Sequence, residues 1–206
     1  MVRWELRTRP FLRTTEILWQ EGHTAHATRE EGDAMARAML ATYVEHIEKV
    51  LGIPLFVGRK TAKERFAGAA ETYCMEAMMP DGKALQMGTS HLLSQSFPAA
   101  YGVQFQDKDL QVRTPWCTSW GMTTRLVGAT VMVHGDQEGL LLPPGVAPHQ
   151  VVIVPIYRTT EEQVNVAAAC EQMMNELRAV GVRVHLDDRP DVRPGAKFFK
   201  WEQRGV

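Results

Sequence analysis

The chain has 206 residues, of which 45% are hydrophobic and 23% are charged, and its formal net charge is −1. This length and composition are ordinary for a globular protein with one large domain or two modest ones. A charge so close to zero argues against wholesale coating by nucleic acid, although it leaves room for a local basic patch. No apolar run approaches the roughly 20 residues of a membrane span, so we expect a cytoplasmic protein with no membrane partner.

The cysteines and histidines do not predict a disulfide framework or a metal site. Cys74, Cys117 and Cys170 are widely spaced, odd in number and without CxxC spacing, which favours reduced thiols and argues against zinc. His23 and His26 have an HxxH spacing. In a strand that spacing places the two rings on opposite faces, so we expect no metal ligands there.

The N-terminal residues predict two antiparallel strands joined by a charged loop. Apolar and charged residues alternate from Val2 to Leu6, as in a half-buried strand, and a second β-rich segment runs from about Phe11 to Trp19. Arginines and carboxylates then share one face. From these residues alone, Arg3 and Glu5 are better explained as a surface ion pair than as catalytic groups.

The middle of the chain alternates between helical and β patterns. Capping-box spacing at residues 28–31 opens a helix that ends near Gly52. A short strand at 53–57 and a hairpin of 72–78 with 83–87 follow. The hairpin delivers residues 86–91 as a loop at a strand end. The buried stripe of the first helix is predicted to comprise Met35, Met39, Leu40, Tyr43, Val44, Ile47 and Leu51.

The stretch from residue 92 to residue 134 carries the next set of predictions. We expect a short helix at about 92–101, strands near 103–106 and 110–112, and an apolar helix from Met122. This start places Arg125 in the first turn, a favourable position for holding an anion. The helix is predicted to bury Leu126, Val127, Val131 and Met132.

The C-terminal pattern predicts a second domain. Residues 140–142 are a candidate strand, and the three prolines of 143–148 then mark a boundary. A run of β-branched residues at 151–154 predicts a strand buried on both faces. A capping box at 159–162 opens a helix that ends near Gly181, a strand follows at 182–186, and a further helix at 194–204. We therefore predict domains at 1–146 and 147–206, the second a parallel, right-handed βαβ unit.

Three long motifs in order resemble the class II aminoacyl-tRNA synthetases in their prolyl form. RWE at residues 3–5 with PFLRTTEILWQEGH at 10–23 resembles motif 2. QMGTSH at 86–91 is similar to the substrate loop, and SWGMTTR at 119–125 with HGD at 134–136 resembles motif 3. The C-terminal stretch, with GAK at 195–197, looks like the start of the anticodon-binding domain that this group shares.

The resemblance implies an α+β fold and a set of site residues. The fold is a partial class II antiparallel sheet with flanking helices, followed by a truncated βαβ anticodon-binding domain. Arg3, Glu5 and Arg125 would be catalytic, with Arg3 near the α-phosphate and the substrate carboxylate, and Glu5 orienting Arg3 or the substrate. Arg125 would grip the γ-phosphate end of a bent ATP. Further ATP contacts are implied for Arg13, Thr14, Gln86, Thr89 and Thr123, and a proline pocket for Trp19, Phe66 and His91, together with Arg3.

The implied activity is ATP- and Mg²⁺-dependent activation of proline to prolyl-adenylate, with transfer to tRNA(Pro). In the family, motif 1 lies upstream of the residues corresponding to Met1, so we expect a fragment of a longer protein that is a homodimer at full length. One alternative is an inactive, truncated paralogue that binds tRNA or a partner. Another is a synthetase for a different amino acid, which Trp19, His91 and the TSH sequence at 89–91 disfavour.

Overall fold

The computed structural model describes residues 1–206, which form two compact units, Met1–Val133 and His134–Val206. The strands of the first unit are β1 Trp19–His26, β2 Phe56–Arg59, β3 Glu71–Met78, β4 Ala84–Ser94, β5 Phe105–Gln106, β6 Val112–Arg113 and β7 Trp116–Thr123. Five of them form an antiparallel sheet with the strand order β1-β7-β4-β3-β2, and β5 pairs with β6 in a separate ribbon.

Helix α1, Arg29–Glu45, packs on β4 and β7 and continues into a π-helical turn at His46–Val50. It begins as predicted, because the Thr28 hydroxyl accepts a hydrogen bond from the Glu31 N–H at 3.2 Å. The helix is fixed to the sheet by the Ser90 hydroxyl, which donates to the Ala36 carbonyl at 2.7 Å. Two further helices follow in this part of the chain, α2 Ser96–Ala100 and α3 Arg125–His134.

The prediction of a half-buried strand at residues 2–6 is wrong. Only an isolated bridge between Val2 and Glu16 forms there, and Trp4 is 86% exposed whereas the Glu5 side chain is 8% exposed. The main chain of this N-terminal arm does run antiparallel to residues 15–17, since the Arg3 N–H donates to the Thr15 carbonyl at 2.9 Å. Of the alternating residues, Glu5 is therefore turned inward, Arg3 and Arg7 remain exposed, and the apolar side chains point to solvent.

The boundaries of β4, α2 and α3 also differ from the prediction. Residues 86–91 lie inside β4 rather than in a loop, and the helix expected at 92–101 is confined to α2. Met122 pairs with Gln20 in the sheet, so α3 begins only at Arg125. The expected buried face of this helix is wrong for two residues. Val127 and Val131 are 47% and 46% exposed, Leu126 and Met132 are half-buried, and the fully buried residues are Gly128, Ala129 and Thr130.

Gly128 is buried on α3 because the helix packs closely against the side chains of Phe11 and Leu12. A Cβ atom added at Gly128 would lie 2.9 Å from the Phe11 Cβ and 3.0 Å from the Leu12 Cδ2. By contrast, the predicted β3–β4 hairpin is confirmed. Gly82 takes a φ of +75° in its turn, a conformation that costs glycine little.

The second unit contains the predicted parallel pair of strands. Strands β8 Val151–Ile153 and β9 Val184–Leu186 flank α4 Thr160–Ala179, and α5 Pro194–Glu202 follows. The capping box of α4 is confirmed, with reciprocal hydrogen bonds between Thr159 and Glu162 at 3.2 and 3.3 Å. Two predictions for this unit are wrong. Strand β8 is half-buried rather than buried on both faces. Residues 140–142 do not form a strand, since only an isolated bridge joins Leu140 to Gly135. No helix in either unit combines the length and the hydropathy needed to cross a membrane.

Gly22 in β1 leads to a testable prediction about the sheet. It lies opposite Trp120 in the register, and an added Cβ would overlap the indole ring. We expect Gly22→Ala to lower the free energy of unfolding by about 1–3 kcal/mol, because the ring must leave its packed position. Denaturant titration measures this change.

Gly58→Ala in β2 is the matched control, since an added Cβ there meets nothing within 4 Å. We expect the control to stay within about 0.5 kcal/mol of the parent. Equal losses in the two variants would show that the approach of Trp120 is not the cause.

Candidate active site

One cavity of about 580 Å³ opens on the sheet of the first unit. Its walls come from the N-terminal arm, strands β1, β4 and β7, the loop that carries Phe66, and the first residue of α3. The lining residues are Met1, Arg3, Phe11, Leu12, Thr14, Ile17, Trp19, Glu21, Phe66, Gln86, Met87, Gly88, Thr89, His91, Ser119, Trp120, Gly121, Met122, Thr123, Thr124 and Arg125.

The structure brings all but two of the predicted site residues together around this cavity. Arg3 and Arg125, 122 positions apart in the chain, line the same space. Glu5 and Arg13 do not line it. The predicted residues found in the wall are Arg3, Thr14, Trp19, Phe66, Gln86, Thr89, His91, Thr123 and Arg125.

The Arg125 guanidinium is held by main-chain oxygens. Its Nε donates to the Leu12 carbonyl at 3.2 Å and its Nη1 donates to the Gln86 carbonyl at 3.1 Å. The main-chain N–H of Arg125 donates to the Thr123 hydroxyl at 3.1 Å. No carboxylate pairs with it, so the group is fixed in direction while its charge is uncompensated.

Burial is the main cause that lowers the pKa of Arg125, and the charges of Arg3 and Arg13 lower it further. Arginine nevertheless stays protonated at any physiological pH. Like charges that repel one another across a partly buried space are stabilised when an anion binds between them. This end of the cavity is therefore suited to a phosphate chain or a carboxylate.

Glu5 connects the two other arginines beneath the cavity wall. Its carboxylate accepts from the Arg13 Nε at 2.6 Å, lies 3.7 Å from the Arg3 Nη2, and accepts from the Arg7 N–H at 3.2 Å. The hydrogen bond from Arg13 is the largest of the causes that lower the pKa of Glu5. One carboxylate shared by two guanidiniums leaves the group net positive, and it restrains Arg3 from outside the cavity.

The other end of the cavity carries two rings. The ring centroids of Phe66 and His91 are 5.1 Å apart, and the His91 Nδ1 is 3.0 Å from the Thr72 hydroxyl. Burial, with a contribution from the Lys60 ammonium, lowers the pKa of His91 to about 4, so the imidazole is neutral at pH 7. Lys60 itself donates to the Gln86 Oε1 at 2.6 Å.

Several residues of the wall lie inside the quoted motifs but have no predicted role there, among them Glu21, Gly88, Trp120 and Gly121. Glu21 shares the side-chain alternation of β1 with Trp19, which was named, so a period of two carried forward from Trp19 would have found it. Gly88 needs three-dimensional information. An added Cβ there would meet the Met75 Cε of the neighbouring strand β3 at 2.8 Å and the Gly121 carbonyl oxygen of β7 at 3.2 Å.

Binding of a divalent cation in the cavity would require oxygen ligands from its wall. Glu21 is the one acidic side chain that lines the cavity, and its carboxylate lies 3.2 Å from the His23 Nε2. No group of three or more histidine, cysteine or acidic side chains is arranged to hold a metal ion. Mg²⁺ often binds through one or two carboxylates together with substrate phosphates and water, and this wall is compatible with that mode.

Residues 1–134 match the family model of the class II tRNA synthetase core domain of the G, H, P, S and T group. The chain belongs to the class II tRNA synthetase family. Residues 150–206 match the anticodon-binding domain. The α+β fold with an antiparallel sheet and flanking helices agrees with this assignment.

Similar proteins of this family include curated proline–tRNA ligases and solved prolyl-tRNA synthetases. The ligases of Phocaeicola vulgatus and Christiangramia forsetii are 53% and 52% identical to this synthetase chain over 206 residues. Prolyl-tRNA synthetase from Cryptosporidium parvum, complexed with L-proline and AMP, has a TM-score of 0.91 at 45% identity and is matched over 100% of this chain and 44% of its own. The chain spans 42% of the length of both curated relatives.

Proposed function

We propose that this chain is part of a proline–tRNA ligase, which uses ATP to form prolyl-adenylate and then passes the prolyl group to tRNA(Pro). The observation that carries the proposal is the shared cavity. Arg3 and Arg125 line the same space as Trp19, Phe66 and His91. The identity of 53% to a proline–tRNA ligase over the whole of this chain supports the choice of proline.

The first step joins the carboxylate oxygen of proline to the α-phosphorus of ATP, while the bond to pyrophosphate breaks and pyrophosphate leaves. Negative charge builds on the phosphate oxygens, so the chain's task is to position the reactants and stabilise that charge. We assign Arg3 to the α-phosphate and the substrate carboxylate, and Arg125 to the γ-phosphate. Further nucleotide contacts are proposed for Thr14, Gln86, Thr89 and Thr123, and Arg13 with Glu5 is proposed to restrain Arg3.

The ring end of the cavity is proposed to bind proline. Phe66 and His91 face one another at a centroid distance of 5.1 Å, and Trp19 lies at the start of β1 on the same wall. A neutral imidazole adds no charge beside an aliphatic ring. The relative from Cryptosporidium parvum was crystallised with L-proline and AMP, which supports this choice of ligands.

The proposed partners follow from the same assignment. Mg²⁺ would arrive with ATP, coordinated by its phosphates and by water, and would supply charge neutralisation. tRNA(Pro) would be the acyl acceptor, with an anticodon-binding domain that we place at residues 147–206, of which 150–206 match the family model. A homodimer and a cytoplasmic location are proposed for the full-length protein.

Proline-dependent exchange of labelled pyrophosphate into ATP tests the proposal, measured on the full-length protein that carries this chain. We expect exchange with proline and only background with glycine, histidine, serine or threonine. Exchange with one of those four but not with proline would overturn the choice of substrate. Binding of tRNA without any exchange would instead support a non-catalytic paralogue.

A further inference from the structure

We propose that Thr72 is the positioning residue of the amino-acid pocket, tying both the His91 ring and the Phe66 loop to strand β3. The role rests on the proposed function, because it concerns the pocket assigned to proline. It is a role for a residue that lies outside the cavity wall and makes no contact with the cavity itself.

Thr72 is buried, with 1% of its surface exposed, and it lies directly opposite His91 in the β3–β4 register. Its hydroxyl oxygen lies 3.0 Å from the His91 Nδ1 and accepts a hydrogen bond from the Phe66 N–H at 3.2 Å. The Thr72 side chain thus contacts both sides of the pocket: the His91 ring directly, and the Phe66 ring through the Phe66 main chain.

Thr72 also restrains the start of the loop that carries Phe66. The Lys60 N–H donates to the Thr72 carbonyl at 2.9 Å, so residues 61–65 are bracketed between two hydrogen bonds to a single residue. The Arg65 guanidinium adds a bond to the Ala70 carbonyl. Phe66 is 51% exposed and its ring stacks on Phe97 at a centroid distance of 6.3 Å, while the hydrogen bond to Thr72 holds the backbone that carries the ring.

The same geometry selects the tautomer of His91. The Thr72 hydroxyl has two partners, the Phe66 N–H, which can only donate, and the His91 Nδ1. The hydroxyl proton therefore has the His91 Nδ1 as its one acceptor, and we infer that it donates there rather than staying unpaired in a buried position. A neutral imidazole then carries its proton on Nε2, and no protein group pairs with that nitrogen. Thr72 therefore fixes both the orientation of the ring and which nitrogen offers an N–H to a ligand.

Two substitutions separate the hydroxyl from the volume of the side chain. Thr72→Val keeps the shape and removes the hydroxyl, whereas Thr72→Ser keeps the hydroxyl. In pyrophosphate exchange with the full-length protein, we expect Thr72→Val to raise the KM for proline about tenfold, the effect of one lost hydrogen bond. The KM for ATP should change less than twofold, and Thr72→Ser should stay within about twofold of the parent for both substrates.

The ¹⁵N chemical shifts of His91 provide a readout that does not depend on activity. We expect the parent protein to show a neutral ring protonated at Nε2, and Thr72→Val to show a mixture of tautomers. A parent ring protonated at Nδ1 would overturn the proposal without any variant, as would an unchanged KM for proline or equal increases for both substrates in Thr72→Val. If the parent shows no proline-dependent exchange, the proposed function fails, and the shifts still decide the role of Thr72.

Discussion

Replacement of Arg125 by alanine is expected to lower proline-dependent pyrophosphate exchange by a factor of about 10² to 10⁴. The reason is the loss of about two charge-assisted hydrogen bonds that we propose Arg125 makes to the phosphates, each contributing roughly 1.5–3 kcal/mol. The affinity for tRNA should change little, because Arg125 lies in the wall of the cavity in the first unit. Arg125→Lys keeps the charge but not the planar fork, so an intermediate loss is expected.

Arg113→Ala is the matched control for this experiment. Arg113 lies in β6, where it pairs with Asp107 at 3.3 Å and with Asp109, and it does not line the cavity. We expect exchange within about twofold of the parent. Because Arg125 also holds the main chain at Leu12 and Gln86, the free energy of unfolding of each variant must be measured as well. Equal loss of exchange and tRNA affinity in Arg125→Ala would mean that the residue supports the fold rather than the nucleotide.

Replacement of Asp187 by asparagine is expected to destabilise the second unit by about 2–3 kcal/mol. The Asp187 side chain is 1% exposed and accepts from the Arg189 Nε and Nη2 at 2.7 and 2.6 Å and from the Trp201 Nε1 at 2.8 Å. An asparagine offers one oxygen in place of two and turns an N–H₂ group toward a donor, which leaves buried polar groups unpaired. Arg189 is 40% exposed, so solvent screening keeps the loss below that of a fully buried ion pair.

Amide hydrogen exchange at residues 184–202 measures this loss separately from the first unit. Asp188→Asn is the control, because the neighbouring side chain is exposed and makes no ion pair or hydrogen bond. Exchange protection is expected to fall in Asp187→Asn and to stay unchanged in the control. Equal protection in the two variants would contradict the assignment of Asp187 as a structural anchor.

The contribution of Asp187 has a defined dependence on pH. Its hydrogen bonds to Arg189 are the first cause that holds the pKa of this carboxyl well below its usual range, burial opposes them, and Trp201 adds to the lowering. A carboxyl with a lowered pKa in the folded state stabilises the fold above its unfolded pKa of about 3.9 and loses that effect as the pH falls below it. The difference between the parent and Asp187→Asn should therefore be constant from pH 7 to about 5 and should shrink below about pH 4.

Features specified by neighbouring residues could be predicted from the sequence. The capping box of α4 needs only Thr159 and Glu162, and the β3–β4 turn needs only Gly82 in a left-handed conformation. The N-terminal arm could not be predicted in this way. An alternating pattern predicts that a strand has two different faces, but the structure around the arm decides which face is buried. Here the Glu5 side chain is buried and Trp4 is exposed to solvent. The start of α3 was misplaced for a similar reason, since pairing of β7 with β1 overrides the apolar run from Met122.

The candidate site shows the same limit over longer distances in the chain. No periodicity connects Arg3 with Arg125, and their meeting was implied only by the resemblance of the motifs that contain them. The sequence does not mark Thr72 as a site residue, because its hydrogen-bond partners lie 6 and 19 positions away and threonine is common in strands. The hydroxyl acquires its role only when β3 and β4 align.

The two carbonyl anchors of Arg125 have a consequence for how this protein tolerates sequence drift. Every amino acid supplies the same main-chain oxygen, so no single side-chain replacement at position 12 or 86 deletes the groups that orient the guanidinium. A guanidinium oriented by acidic side chains would lose one of its hydrogen bonds when such a side chain was replaced. Here the direction of the guanidinium is set by the path of the backbone. A replacement at position 12 or 86 changes that side chain's own contacts, such as the bond from Lys60 to the Gln86 amide, but it leaves the carbonyl anchor in place.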